Sequence, residues 1–237
     1  MYGGAFKRRA RGDAALLPRR HASHACVQQR GMSSPGALRA RLPPALPSRF
    51  YYYACDGVRD EGWGCGHRCV QTLLSAEAEP VPDMPTLMAA LGYAEGVYAD
   101  VGDLLLLLGS LRGWGHTVLQ VAVRSEIPSF LDKCERLLHD PANRYTWGIL
   151  VGGGIMVLLA DVDTHTSRLQ VFDPHGEPAD PTGMGTLPKL GSGGFGWISA
   201  TDALLGSADP DVAAYMEPDE LMIAMNWVVV FFDRAPS

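Results

Sequence analysis

Apolar positions along the chain follow a helical period first and a strand period later. From Cys65 the stripe Cys69, Leu73 and Ala76, flanked by Val70 and Leu74, recurs at helical spacing. It predicts a helix from Cys65 to about Glu79, stopped before Pro80. Residues 85–92 and about 99–112 read as further helices. Pro128–His139 reads as an amphipathic one, with Phe130, Leu131, Cys134, Leu137 and Leu138 on its apolar face. Phe50–Tyr53 is an aromatic, strand-like run, followed by a loop from Cys55 to Gly64. Thr117–Val123, Thr146–Val151, Ile155–Val162, Arg168–Asp173 and Met225–Phe232 read as strands. Glycines 152–154 and Asp163-Thr164-His165 supply turns between the middle three. No internal repeat occurs. Helices precede most strands, so the expected class is α+β, with helices on a mainly antiparallel sheet.

Composition divides the chain. Residues 1–48 are rich in Arg, Ala, Ser and Pro and show no sustained period, which reads as a disordered leader. Ten of the twenty Lys and Arg lie within residues 1–49, against a single acid, Asp13. The same bias fits an organellar, mitochondrial transit peptide, although five prolines argue against a long amphipathic helix there. Residues 49–237 are then the folded domain, long enough for one full core. From residue 50 onward, ten bases face 25 acids, a formal charge of −15. That charge repels phosphates, so nucleic acid is not an expected partner, and a basic protein surface fits better. Five irregularly spaced cysteines and no secretory h-region point to free thiols in a reducing compartment, with the cytoplasm as the expected location. No apolar run has the roughly 18 residues a membrane span requires.

Cys65 lies in Gly62-Trp63-Gly64-Cys65-Gly66. At the start of a helix, unpaired N–H groups and the helix dipole favour a thiolate. The same amides offer an oxyanion a place to rest. A buried structural cysteine in a Gly-rich turn is the alternative. His67 cannot serve as base, because two helical residues turn it about 200° away from Cys65. His175 is better placed. In Val-Phe-Asp-Pro-His (171–175), residues two apart on an extended chain share a face, so Asp173 and His175 project together. A carboxylate beside an imidazole fixes its tautomer and stabilises the imidazolium. Pro174 requires a strand end or edge. Taken alone, Asp-Pro-His-Gly also fits a plain turn. Cys65, His67 and Cys69 do not make a metal site on one helix, so neither a metal nor another cofactor is expected. Val-Gly-Gly-Gly (151–154) lacks the Gly-Lys-Ser/Thr ending of a phosphate loop.

Tyr51-Tyr52-Tyr53, Gly-Trp-Gly-Cys-Gly-His-Arg-Cys-Val-Gln-Thr-Leu (62–73), Val-Gly-Gly-Gly, Val-Phe-Asp-Pro-His and Gly-Trp (196–197) occur in that order. Together they resemble the ubiquitin-fold-modifier-specific protease family, over roughly residues 50–233. The resemblance implies a papain-like cysteine peptidase fold. It implies Cys65 as nucleophile, His175 as general base and acid, and Asp173 as the residue orienting His175. Tyr53 would supply the oxyanion-hole hydroxyl, with Tyr52 as the fallback. Trp63, Gly64 and Trp197 become candidates for a narrow substrate groove. The implied partner is the ubiquitin-fold modifier, as precursor or conjugate, with any adaptor open. A deubiquitinase-like peptidase and an inactive modifier-binding scaffold are the alternatives. Gly176, where the family usually has an aromatic residue, and His67, where it often has Tyr, depart from the pattern.

Overall fold

The computed structural model describes residues 47–77, 80–140, 142, 144–177, 180, 182–205, 217, 218, 220 and 225–234. The expected leader, apart from its last two residues, lies outside the described residues. Ser48 is already tied to the body of the protein, donating its backbone N–H to the Ser75 carbonyl (3.2 Å).

Among the described residues, five α-helices and six strands follow in the order α1 (Cys65–Leu74), α2 (Met84–Ala90), α3 (Val101–Arg112), β1 (Gly115–Val121), α4 (Ile127–Leu138), β2 (Gly148–Gly152), β3 (Ile155–Asp163), β4 (Arg168–Asp173), β5 (Gly194–Ser199), α5 (Ala200–Leu205) and β6 (Trp227–Asp233). The strands form one sheet in the order β1-β6-β2-β3-β4-β5. Every neighbouring pair is antiparallel. The class is α+β.

The sheet is covered on both faces, so its strands read as nearly continuous apolar runs. Ile149, Met156, Leu158, Ala160, Phe172, Phe195, Val230 and Phe232 share one core with α1 and α3. Leu150, Val157, Leu159, Leu169, Val171, Ile198, Val229 and Phe231 share the other with α4 and α5. A bulge between Leu159 and Asp161 resets the alternation, which is why Val162 lies on the same face as Leu159.

Local chemistry sets the helix ends. Asp100 and Asp103 form a reciprocal capping box at the start of α3, and Gly113 closes it with φ +68°. Helix α1 is shorter than its apolar stripe predicts. It ends at Leu74 because the Ser75 hydroxyl turns back onto the Thr72 and Arg49 carbonyls. All ten residues of α1 are buried, which makes it the central helix.

Two other expectations change. Phe50–Tyr52 is extended and buried but lies outside the sheet. The Tyr51 N–H bonds the Thr72 hydroxyl (3.0 Å), and the Phe50 ring packs on Phe172 and Phe195 at 4.9 and 5.2 Å. Strand β5 and helix α5 had no counterpart in the apolar pattern. Gly194 and Gly196 stand at alternate positions of β5 and carry no side chain to signal a face. At Gly196 a side chain would strike the Gly185 carbonyl.

Candidate active site

The site forms where α1 begins and β4 ends. Helix α1 lies across the start of β3, and a Cβ on Gly66 would fall 2.8 Å from the Met156 sulfur. Glycine there lets the helix start approach the sheet. Through the β3–β4 pairing, the start of β3 is level with the end of β4, beyond the Leu158–Phe172 pair. The chain turning out of β4 therefore carries His175 to Cys65.

Asp173 is fully buried and its carboxylate accepts four hydrogen bonds. Oδ1 takes the backbone N–H of His175 (3.1 Å) and its ring Nδ1. Oδ2 takes the backbone N–H groups of Gly191 (2.6 Å) and Gly193 (3.1 Å). With Nδ1 engaged, Nε2 is left to face Cys65. The His175 ring is within hydrogen-bonding reach of the Cys65 thiol, as is the Tyr53 hydroxyl. Tyr53 also sets its ring edge against His175, with centroids 5.0 Å apart. Its backbone N–H bonds the Pro174 carbonyl (2.9 Å), linking the tyrosine directly to the histidine turn.

Electrostatics follow from these contacts. Burial works to lower the His175 pKa, but the Asp173 hydrogen bond and the Cys65 sulfur outweigh it and raise the value to about 9. Burial, reinforced by the sulfur of Cys65, pushes the Tyr53 hydroxyl up, so it stays a proton donor. Burial likewise raises the thiol of Cys69, one turn further along the helix, and makes it a poor nucleophile.

Cys65 itself is only 2% exposed. Gly64 provides no side-chain cap and no acid occupies the first turn, so the amide end of α1 stands open toward the thiol. A nucleophile, a base fixed by a carboxylate, a neutral hydroxyl and a helix N-terminus thus converge. That set is suited to acyl transfer through a thioester.

The structure brings Cys65, His175, Asp173 and Tyr53 together; Tyr52 is buried beside them. His67 turns away, buried edge-on against Trp63 at 5.9 Å, and burial lowers its pKa. The groove candidates are placed differently. Trp63 packs with Met84 and Met88 in a small separate core, its indole N–H donated to the Arg59 carbonyl. The space beside Gly64 is filled by the Asp60 side chain. Trp197 pairs with Gln170, three residues from the Gly194–Asp173 pair, or about 10 Å along the strand. It lies under the Arg168 guanidinium and not beside Cys65.

Three features had escaped the sequence reading. The Gly191 and Gly193 amides are backbone donors, and no residue type signals them. Tyr98 stands 56% exposed, close enough to Cys65 for the sulfur to act on its hydroxyl. Arg68, fully buried, forms an ion cluster with buried Asp60 and with Asp56 at the surface.

Known proteins share parts of this arrangement. The model for peptidase family C78 matches residues 45–82, which hold Tyr53 and Cys65. A protein of Oryza sativa subsp. japonica named "Probable Ufm1-specific protease" is 27% identical over 175 residues, 65% of this chain. "Ufm1-specific protease 1" of Mus musculus is 49% identical over 45 residues, 18% of this chain. This chain spans only 26% of the first protein's length and 21% of the second's. The crystal structure of UfSP from C. elegans shares the fold over 83% of this chain and 34% of its own, at a TM-score of 0.55 and 16% identity. The chain is thus similar to peptidase family C78 in sequence over residues 45–82, and to UfSP in fold over most of its length.

Proposed function

We propose that the chain is a thiol protease that cleaves after the C-terminal glycine of the ubiquitin-fold modifier, in its precursor or on conjugated proteins. The observation that carries this reading is the Cys65 thiol, set at a helix N-terminus within hydrogen-bonding reach of both His175 and Tyr53. The names of the rice and mouse relatives supply the modifier. The near-complete burial of Cys65 fits a thin, extended glycine tail better than a bulky substrate segment.

In the reaction, the Cys65 thiol gives its proton to His175, and the thiolate attacks the glycine carbonyl as the carbon–oxygen π electrons move onto oxygen. The oxyanion accepts hydrogen bonds from the Cys65 N–H and the Tyr53 hydroxyl. His175 passes its proton to the leaving amine as the C–N bond breaks, giving a thioester and a free amine. Water then attacks the thioester while His175 takes up its proton, and the thiol is released with the modifier's carboxylate. Asp173 holds the ring throughout. No cofactor enters these steps.

Residues 49–237 form the catalytic domain in this reading. The cytoplasm is its proposed location, supported by four buried cysteines among the described residues that form no disulfide with one another. No helix among the described residues is long and apolar enough to cross a membrane. An assembled Cys65–His175–Asp173 set favours an enzyme over an inert scaffold.

A panel of reporters tests the proposal: ubiquitin-fold modifier, ubiquitin and other modifiers, each with a cleavable C-terminal group. Turnover of the ubiquitin-fold modifier reporter, abolished by Cys65→Ser, is the expected result. Preference for ubiquitin would overturn the substrate. Turnover that survives Cys65→Ser but vanishes with Cys69→Ser would overturn the site.

A further inference from the structure

Helix α1 carries a second residue at its business end, Arg68, one turn after the nucleophile. Arg68 is fully buried, and four side chains accept its hydrogen bonds. Nε donates to Asp60 Oδ2 at 2.7 Å. The two terminal nitrogens donate to both oxygens of Asp56 at 2.8 Å. Nη1 also reaches Gln71 Oε1 at 3.0 Å and Cys55 Sγ at 3.6 Å. Asp60 is equally buried, and its other oxygen accepts the backbone N–H of Ala54 at 2.8 Å. Ala54 directly follows Tyr53 and sits at φ +57°. That left-handed conformation costs a residue with a Cβ roughly 1 kcal/mol or more, so something must hold it.

We propose that Asp60 and Arg68 are positioning residues that hold the Tyr53 hydroxyl at the Cys65 thiol through the Ala54 amide. The proposal rests on the reading of Tyr53 as the oxyanion donor. Helix α1 then carries both the nucleophile and the anchor for its oxyanion partner, so the two move as one body. The Asp60 carbonyl adds to this by accepting the N–H groups of Trp63 (3.1 Å) and Gly64 (2.9 Å), which fixes the entry into the helix. A glycine is required at 64 because the Asp60 side chain occupies the place of its Cβ. On the far side, Tyr53 is tied to Pro174, so the anchor completes a circuit from α1 through Tyr53 to the His175 turn. A buried ion cluster is a weak source of net stability but sets geometry firmly.

Two reactions at the same sulfur separate positioning from folding. Cleavage of a modifier reporter develops an oxyanion; alkylation by iodoacetamide displaces iodide and develops none. Asp60→Asn is expected to lower kcat/KM for the reporter about tenfold while alkylation of Cys65 stays within about twofold. In a Tyr53→Phe background the same change is expected to cost less than about twofold, because the group it positions is gone. Arg68→Lys keeps the charge, loses the fork, and is expected to show the same split between the two reactions. An equal fall in both reactions, a tenfold loss that persists without the Tyr53 hydroxyl, or unchanged turnover in a folded Arg68→Lys protein would each overturn the proposal. Absence of reporter turnover in the parent protein would reject the proposed function, and this inference with it.

Discussion

The nucleophile and its base are held in place by opposite means. On the nucleophile side, residues 49–75, the loop and helix are joined by side chains: Arg68, Asp60, Thr72 and Ser75, all buried, and Asp56 at the surface. On the base side, Asp173 is held by backbone N–H groups of a glycine-rich turn, Gly191 and Gly193. A side-chain clamp dictates residue identity at many positions. A backbone clamp dictates only that the turn can adopt its shape. Family resemblance divides the same way. The family model matches residues 45–82, which hold the nucleophile side. The Asp173–His175 turn lies outside the segment that the family model matches.

The comparison is tested most severely at the base. His175→Gln is expected to lower kcat/KM on the order of 10³-fold, with modifier binding by calorimetry changed less than about threefold. Near-normal turnover would mean that the base side is misread and that the nucleophile finds its base elsewhere. Asp173→Asn should cost less, roughly 10²-fold, since the histidine remains but loses its orienting carboxylate. It should also move the pH profile. The His175 pKa is raised from 6.5 to about 9, so imidazolium persists through neutral pH in the parent. The alkaline limb of kcat/KM should therefore fall near pH 9 in the parent and shift down toward 6.5 in Asp173→Asn. Stability follows the same sign. The Asp173–His175 contact contributes fully below pH 6.5 and is lost as pH rises through about 9. An alkaline limb that stays in place would show that Asp173 does not set the charge of its neighbour.

The two clamps also differ in how far the sequence revealed them. Alternation along a strand made the pairing of Asp173 with His175 legible, but the family resemblance was needed to set Cys65 and that pair above a structural cysteine and a plain turn. The central strands were legible from apolar runs of the right length. Strand β5 was not, since glycines replace the side chains that would mark its faces. The amides of Gly191 and Gly193 were invisible for a related reason: a backbone donor has no letter of its own. Trp63 and Trp197 misled in the opposite direction. Trp63 became a candidate by standing two residues before Cys65, and Trp197 by the Gly-Trp of the resemblance, but tertiary packing places Trp63 on Met84 and Trp197 under Arg168.

Glycine substitutions sharpen the contrast. A Cβ on Gly193 would run into the Gly176 backbone, and Gly193 also sits at φ +79°. Gly193→Ala should therefore push the turn off Asp173, lowering turnover about tenfold and stability by about 1–3 kcal/mol in a thermal melt. Gly176→Ala faces its neighbours at 3.5 and 3.6 Å, ordinary contact distances, and its φ is not in the left-handed region. It should change stability by less than about 0.5 kcal/mol. Equal effects at the two positions would show that the backbone clamp does not depend on the close approach at Gly193.

The smallest effect is expected at Trp197, and it separates the active site from the edge of the sheet. The ring lies under Arg168, on the edge strand β5, and its backbone groups pair with Leu187 and Gly185. None of those bonds depends on the indole. Trp197→Ala removes partly exposed apolar area and one cation–π contact, so a loss of about 1 kcal/mol in melting is expected. Turnover of the modifier reporter should stay within about twofold, because three strand residues separate Trp197 from the Asp173 pair. A selective rise in KM, with kcat and melting temperature unchanged, would instead extend the substrate surface along β5. The modifier's folded body would then rest on the sheet edge while its tail reaches Cys65.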